Sequence, residues 1–281
     1  VVNTSLFQTD WYIDQMKRKA YTSKPIPSQL THKQYRAGTR DYMMIREITT
    51  DTLDIKRVMD FISNDKNNLK SLMTQTGEDI SSYPASILNS NFLPTRNIRV
   101  PVDKEKVIKN GLVKEKDADK IVDYIYLKIS GSALYKNRLL MLDVIANNNW
   151  ERPIYFTGGA FGDDDYIWMK DYLQLDGMCY KLTPIKTEGA KNNPFDMGRI
   201  DSELMYNQIM SWDWGNSGTN IYHDTETRRN GITYRGNIAR CIEQLIDENK
   251  FDKVEELADL SLEKMPVDVF SYYTLLDPYV S

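Results

Sequence analysis

The chain has 281 residues, 41% hydrophobic and 27% charged, the composition of a folded protein large enough to bury a substantial core. Its formal net charge of -4 lacks the Lys and Arg excess on which binding to phosphate backbones rests, so no nucleic-acid partner is expected. No stretch reaches the ~20 apolar residues of a membrane helix, and no signal-peptide pattern is read at the start.

Val1–Phe7 reads as a buried strand. Thr9 or Asp10 then caps a helix over about Trp11–Tyr21, with Tyr12, Ile13, Met16 and Ala20 on one face. After "KPIPSQ", Arg40–Ile48 reads as a strand, and Thr50 or Asp51 caps a helix striped by Ile55, Val58, Met59 and Ile62. From Asn64 to about Asp119 the pattern is irregular, with Pro84, Pro94 and Pro101 among asparagine runs. That stretch reads as an insertion holding short strands, "NIRVPVD" among them.

Lys120–Ile129 is a strand by its β-branched and aromatic content, Leu134–Ala146 a helix, and "PIYFT" the next strand. Strand, helix and strand in that order predict a right-handed parallel βαβ unit. A further helix is expected over Asp164–Leu175, followed by a strand in "GMCYKLTPI". "DMGRIDSELMYNQIM" reads as helical and "SWDWGNSGTN" as an aromatic loop. Two helices, about Tyr234–Glu248 and Phe251–Met265, close the chain as an αα-hairpin. The fold class expected is therefore α/β: an open, mostly parallel sheet flanked by helices, then a helical hairpin of repeat (TPR-like) flavour. The domains expected are 1–190, carrying the insertion at about 64–119, and a helical region over 191–281.

Chemistry concentrates in two loops. "TGGAFGDDD" follows a strand end, where open α/β folds place ligands, but Gly158, Gly159 and Gly162 match neither the dinucleotide fingerprint nor a P-loop. Asp163 and Asp165 could hold a divalent cation with two hard oxygens, and they are weak metal candidates only. A helix N-terminus, which favours a carboxylate by about 0.3–1 kcal/mol, explains the same aspartates. In "SWDWGN", Trp212 and Trp214 around Asp213, near Tyr206 and Tyr222, could stack on a sugar and hold its hydroxyls. Packing between the α/β core and the helical hairpin accounts for them more readily. The ligand-binding candidates are thus Gly158, Gly159, Asp163, Asp165, Trp212, Asp213 and Trp214, and no catalytic residue is assigned. The two cysteines, Cys179 and Cys241, and the two histidines, His32 and His223, sit in no nucleophile or zinc motif.

Four stretches carry a resemblance: "VVNTSLFQTDWYIDQMKRK" (Val1–Lys19), "IANNNWERPIYFT" (Ile145–Thr157), "YLQLDGMCYKLTP" (Tyr172–Pro184) and "YRGNIARCIEQLIDENKFDKVEELADLSLEKMP" (Tyr234–Pro266). Together they resemble the C-terminal soluble part of a Bacteroidetes membrane-protein family, domain of unknown function 2723, similar to protein O-mannosyltransferases. Members carry an acidic "GDNDTFP"-like stretch before the "VVN" strand, and its absence here fits an excised domain.

The resemblance implies an extracytoplasmic domain on the periplasmic face of the cytoplasmic membrane, belonging to a multi-spanning glycosyltransferase-like parent. The family's catalytic acid lies between membrane helices, so none of its catalytic residues maps onto this chain. A polyprenyl-phosphate sugar donor is implied for the parent and no cofactor for this chain. The partners implied are the parent's own membrane domain and a protein or glycan acceptor. Two other readings stay open: a protein-docking module using the helical hairpin, and a metal-dependent sugar enzyme using Asp163 and Asp165.

Overall fold

The computed structural model describes residues 2–157, 167–187, 197–271 and 279. It divides into two compact units, Val1–Arg152 and Pro153–Ser281. The expected boundary near residue 190 followed the change from alternating strands and helices to helices alone. Compactness instead groups the strands after Pro153 with the helices that follow them.

Unit 1 holds, in order, α1 (Asp10–Met16), α2 (His32–Tyr35), β1 (Tyr42–Ile45), β2 (Leu53–Asp54), α3 (Ile55–Ser63), α4 (Leu69–Thr76) and α5 (Ala85–Leu88). There follow β3 (Phe92–Leu93), β4 (Asn97–Pro101), α6 (Lys104–Lys109), β5 (Tyr124–Lys128), β6 (Ala133–Tyr135) and α7 (Lys136–Asn148). The α3 stripe is as expected: Ile55, Val58, Met59 and Ile62 are all at most 1% exposed and pack toward α7. Helix α7 buries Leu139, Leu140, Leu142 and Asp143 around its circumference, the mark of a helix inside a core. Asp143 accepts from the Gln29 and Leu30 amides at 3.1 and 3.3 Å and from Ser28 Oγ, which ties the extended 24–31 segment to that helix.

Two three-stranded sheets flank this core, β3-β1-β6 and β2-β4-β5, each with one parallel and one antiparallel pair. In the second, Ile98, Val100, Ile125 and Leu127 face inward and are buried, while Tyr126 is 56% exposed on the other face. There Arg99 binds Asp54 through two contacts of 3.0 Å and lies over the Tyr124 ring at 4.7 Å.

Several expectations are corrected here. Val1–Phe7 is not a strand: Leu6–Gln8 forms a 3-10 turn, closed by the Asn3 side chain accepting from Leu6 N at 3.0 Å. Helix α1 stops at Met16, so Ala20 is exposed. The cap of α3 is Asp54, not Thr50 or Asp51. The 64–119 stretch is no insertion outside the core, because β3 pairs with β1 and β4 pairs with both β2 and β5. Its elements are too short to show a period, which is why the sequence reads as irregular there.

The predicted βαβ unit does not form. β5 runs antiparallel to β4, and the "PIYFT" strand belongs to the sheet of unit 2. The described residues thus make small mixed sheets instead of one open, mostly parallel sheet.

Unit 2 contains β7 (Tyr155–Thr157), β8 (Leu173–Asp176), β9 (Cys179–Leu182), β10 (Arg199–Ile200), α8 (Ser202–Met210), α9 (Thr225–Asp247), α10 (Phe251–Lys264) and α11 (Val267–Phe270). The sheet order is β10-β8-β9-β7, with β10 parallel to β8 and the other pairs antiparallel. The helix expected over Asp164–Leu175 is, in its described part, a 3-10 turn over Ile167–Tyr172 and then β8. Leu173, Gln174, Leu175 and Asp176 alternate with period two, and cross-strand pairing decides the outcome. α9 begins at Thr225, well before the expected Tyr234, with Asp224 accepting from Thr227 N at 2.9 Å as its cap. α9 and α10 pack as a hairpin, burying Ile238, Ile242 and Leu245 against Leu257, Ala258 and Ser261.

Candidate functional site

Gly158, Gly159, Gly162, Asp163 and Asp165 lie outside the described residues. Among the described residues, no group of three or more His, Cys, Asp or Glu side chains is placed to hold a metal ion.

The aromatic loop is described, and its two tryptophans come together. Trp212 and Trp214 have ring centroids 5.5 Å apart, and both meet Tyr234 of α9, at 5.5 and 6.2 Å, with planes tilted 54–83°. Tilted pairs at this spacing match the ring quadrupole preference, so the three rings stiffen one another. Trp212 is wedged against the β8–β9 turn. A Cβ on Gly177, at φ 62°, would stand 3.3 Å from both the Trp212 ring and Gln208 Oε1, so this turn admits only glycine without a shift.

From the α9 side, Asn237 Nδ2 donates to Gly177 O at 3.0 Å. At the loop's far end Ser217 Oγ donates to Lys264 O at 2.5 Å, and Gly218, at φ 88°, lies against the Glu263 carbonyl. Among the described residues, two buried polar atoms in this region have no hydrogen-bond partner: Trp214 Nε1, a donor, and Gln208 Oε1, an acceptor.

Asp213 is exposed, and its Oδ1 accepts from Gly215 N at 2.9 Å, which shapes the loop. Of the neighbouring tyrosines, Tyr206 donates to Glu256 and lies under Lys253 Nζ at 4.9 Å, and Tyr222 is 86% exposed. The structure therefore joins Trp212 and Trp214, directs Asp213 Oδ1 into its own turn, and adds Tyr234. The sequence reading missed Tyr234 because it lies twenty residues beyond Trp214, inside a helical pattern.

The second feature is the sheet of unit 2. Register places Tyr155, Lys181, Gln174 and Arg199 in one row across all four strands, with Thr157, Cys179 and Asp176 in the next row on the same face. The opposite face carries Phe156, Tyr180, Leu175 and Ile200. On the polar face Gln174, Asp176 and Lys181 are only 6–7% exposed. Gln174 Nε2 donates to Asp176 Oδ1 at 2.7 Å, and Tyr155 OH to Asp176 Oδ2 at 3.4 Å.

Burial pushes the Asp176 carboxyl above the usual carboxylate range, against the opposing pull of Gln174 and Lys181. Tyr155 is raised to about 12 by burial and by the charge of Asp176. Period-two alternation in "LQLD" and "CYKL" was the available signal, and the helix reading of the first of these concealed it.

Cys179 and Cys241 are both free thiols, and burial raises Cys241 to about 12, as for a small apolar side chain. His32 pairs with Asp14 at 3.0 Å on the surface, and His223 packs on Phe270 at 4.8 Å.

Among the described residues no helix is long and apolar enough to cross a membrane. A family model described as TMEM260-associated domain 2 matches residues 1–204, a span that holds unit 1 and the unit 2 sheet and ends before the aromatic loop. No curated protein and no solved structure matches the chain.

Proposed function

The chain belongs to the TMEM260-associated domain 2 family, and from that premise we propose that it is an extracytoplasmic domain of a multi-spanning, glycosyltransferase-like membrane protein. It positions an acceptor, protein or glycan, and is not catalytic alone. In a Bacteroidetes-type parent of the kind named above it stands on the periplasmic face, and the sugar arrives on a polyprenyl phosphate bound by the membrane part. The family description supports the membrane association.

The observation that carries acceptor positioning is the ring cluster of Trp212, Trp214 and Tyr234. Its rings are stiffened by one another, and an unpartnered indole N–H and amide oxygen lie in the same region. Aromatic faces bordered by a few polar groups are how proteins stack and orient sugar rings.

Two measurements test this reading. Sugar transfer by the full-length protein in membranes should fall when this domain is removed, and unchanged transfer overturns the role. Glycan binding at the ring cluster, followed by the shifts of the Trp212 indole and the neighbouring loop amides, should be lost in Trp214→Ala. Binding that survives the substitution moves the acceptor elsewhere. A docking role for the α9–α10 hairpin, of TPR-like flavour, has one observation in its favour: Phe251, the first residue of α10, is 59% exposed.

A further inference from the structure

The polar face of the unit 2 sheet calls for an explanation that stability does not supply. An antiparallel sheet ordinarily buries an apolar face and leaves the other in water. A second face covered only to enlarge the core would be apolar, since burying charge is costly unless each group is paired and hydrogen-bonded. This face is not apolar. It holds Gln174, Asp176 and Lys181 at 6–7% exposure, while the opposite face supplies the apolar layer. Folds keep such arrangements chiefly where a site needs them.

Its hydrogen bonds are incomplete in one direction. Asp176 Oδ1 has a full bond from Gln174 at 2.7 Å, but among the described residues Oδ2 has only the Tyr155 hydroxyl at 3.4 Å, beyond the ordinary O–H···O range of about 2.5–3.0 Å. A buried carboxylate oxygen is thus left with capacity for a second donor. Tyr155, whose hydroxyl reaches it, is 46% exposed, and Thr157, beside Tyr155 on β7, is exposed too.

We propose that this face is a binding site for a neutral, hydroxyl-rich ligand, a sugar unit, entered past Tyr155 and read by the Tyr155–Asp176 pair. A ligand hydroxyl donates to Asp176 Oδ2, and the Tyr155 hydroxyl, held by the same carboxylate, offers its lone pairs to a second one. The ligand is taken as neutral because the charges described on this face are equal in number, Lys181 and Arg199 with Asp176 and the neighbouring Asp201. Tyr155 and Asp176 are both contact residues, and Asp176 also holds the Tyr155 hydroxyl in place. The site does not depend on the aromatic loop and stands or falls separately from the function proposed above.

The test is a titration of the 281-residue chain with glucose, galactose, mannose and N-acetylglucosamine, followed by NMR shifts or calorimetry, on the parent, Tyr155→Phe, Asp176→Asn and Trp214→Ala. At least one saccharide should bind the parent. Tyr155→Phe and Asp176→Asn should each weaken it about tenfold, roughly the value of one good hydrogen bond to a charged group. Trp214→Ala should leave the shifts of the β7 and β8 amides in place.

Affinity in the parent should also vary with pH as Asp176 titrates, and Asp176→Asn should flatten that profile, which a merely structural role would not do. If Asp176→Asn fails to fold, Tyr155→Phe decides alone, since its ring is half exposed and the change removes one oxygen. Parent-like affinity in Tyr155→Phe, or no binding of any saccharide by the parent, overturns the proposal. Loss in Trp214→Ala only would overturn it too, while supporting the aromatic loop.

Discussion

Two sheets of this protein obey the same alternation and end in opposite states. In β2-β4-β5 the inward rows are Ile98, Val100, Ile125 and Leu127, and the outward face keeps Tyr126 and Lys128 in water. In β10-β8-β9-β7 the polar rows are as regular, yet Gln174, Asp176 and Lys181 are almost closed to solvent. Their carboxylates register the contrast. Asp54 is held below the usual range by hydrogen bonds from Arg99, and Asp176 is pushed above it by burial. Alternation tells which residues share a face. Burial tells what that face is for.

The contrast can be broken experimentally, and the largest effect belongs to the closed face. Asp176→Leu strands the Gln174 amide and leaves Lys181 less compensated, so it should destabilise by about 3 kcal/mol in urea unfolding. A change close to zero would mean that the face is wetter than its burial indicates. Gly177→Ala should come next, at about 1–2 kcal/mol, from the left-handed backbone and the close approach of Trp212. Altered tryptophan fluorescence should accompany it. Arg99→Leu on the open sheet should move the melting temperature little, because exposed pairs contribute weakly and salt screens them.

The smallest effect is in pH dependence, where the two carboxylates have opposite signs. Asp176, raised when folded, favours the protonated native state, so its contribution is full below the unfolded value and is lost as pH rises through the folded one. Asp54, lowered when folded, contributes above the unfolded value and loses it as pH falls. Stability profiles from pH 3 to 7 should therefore flatten on the rising side for Asp176→Asn and on the acid side for Asp54→Asn. Equal profiles for both variants would remove the distinction between the two sheets.

How much the sequence disclosed depended on the length of each pattern. The α3 stripe and the α9–α10 hairpin run over several turns, so their period was legible, and "NIRVPVD" stood out as β4 by its alternation. β3 and β10 have two residues each and gain their identity from partners distant in the chain. The strand character of Leu173–Asp176 was likewise decided by pairing with Cys179–Leu182, which a helix reading of its upstream flank obscured. Of the site, Trp212 and Trp214 were legible as a cluster, and Tyr234 and the polar face were not. Both of the latter arise from tertiary neighbours.

One detail of the aromatic loop has a mechanical consequence. Ser217 and Gly218 seal the last carbonyls of α10, near Lys264 and Glu263, with a segment that precedes that helix by more than a full helical hairpin arm. Fraying at the end of α10 and lifting of the loop both break the Ser217–Lys264 bond, so the two motions share one cost. Amide protons in both places should exchange through one shared opening, at one rate. Whatever fastens onto Trp214 therefore also tightens the tail of a helix it never touches.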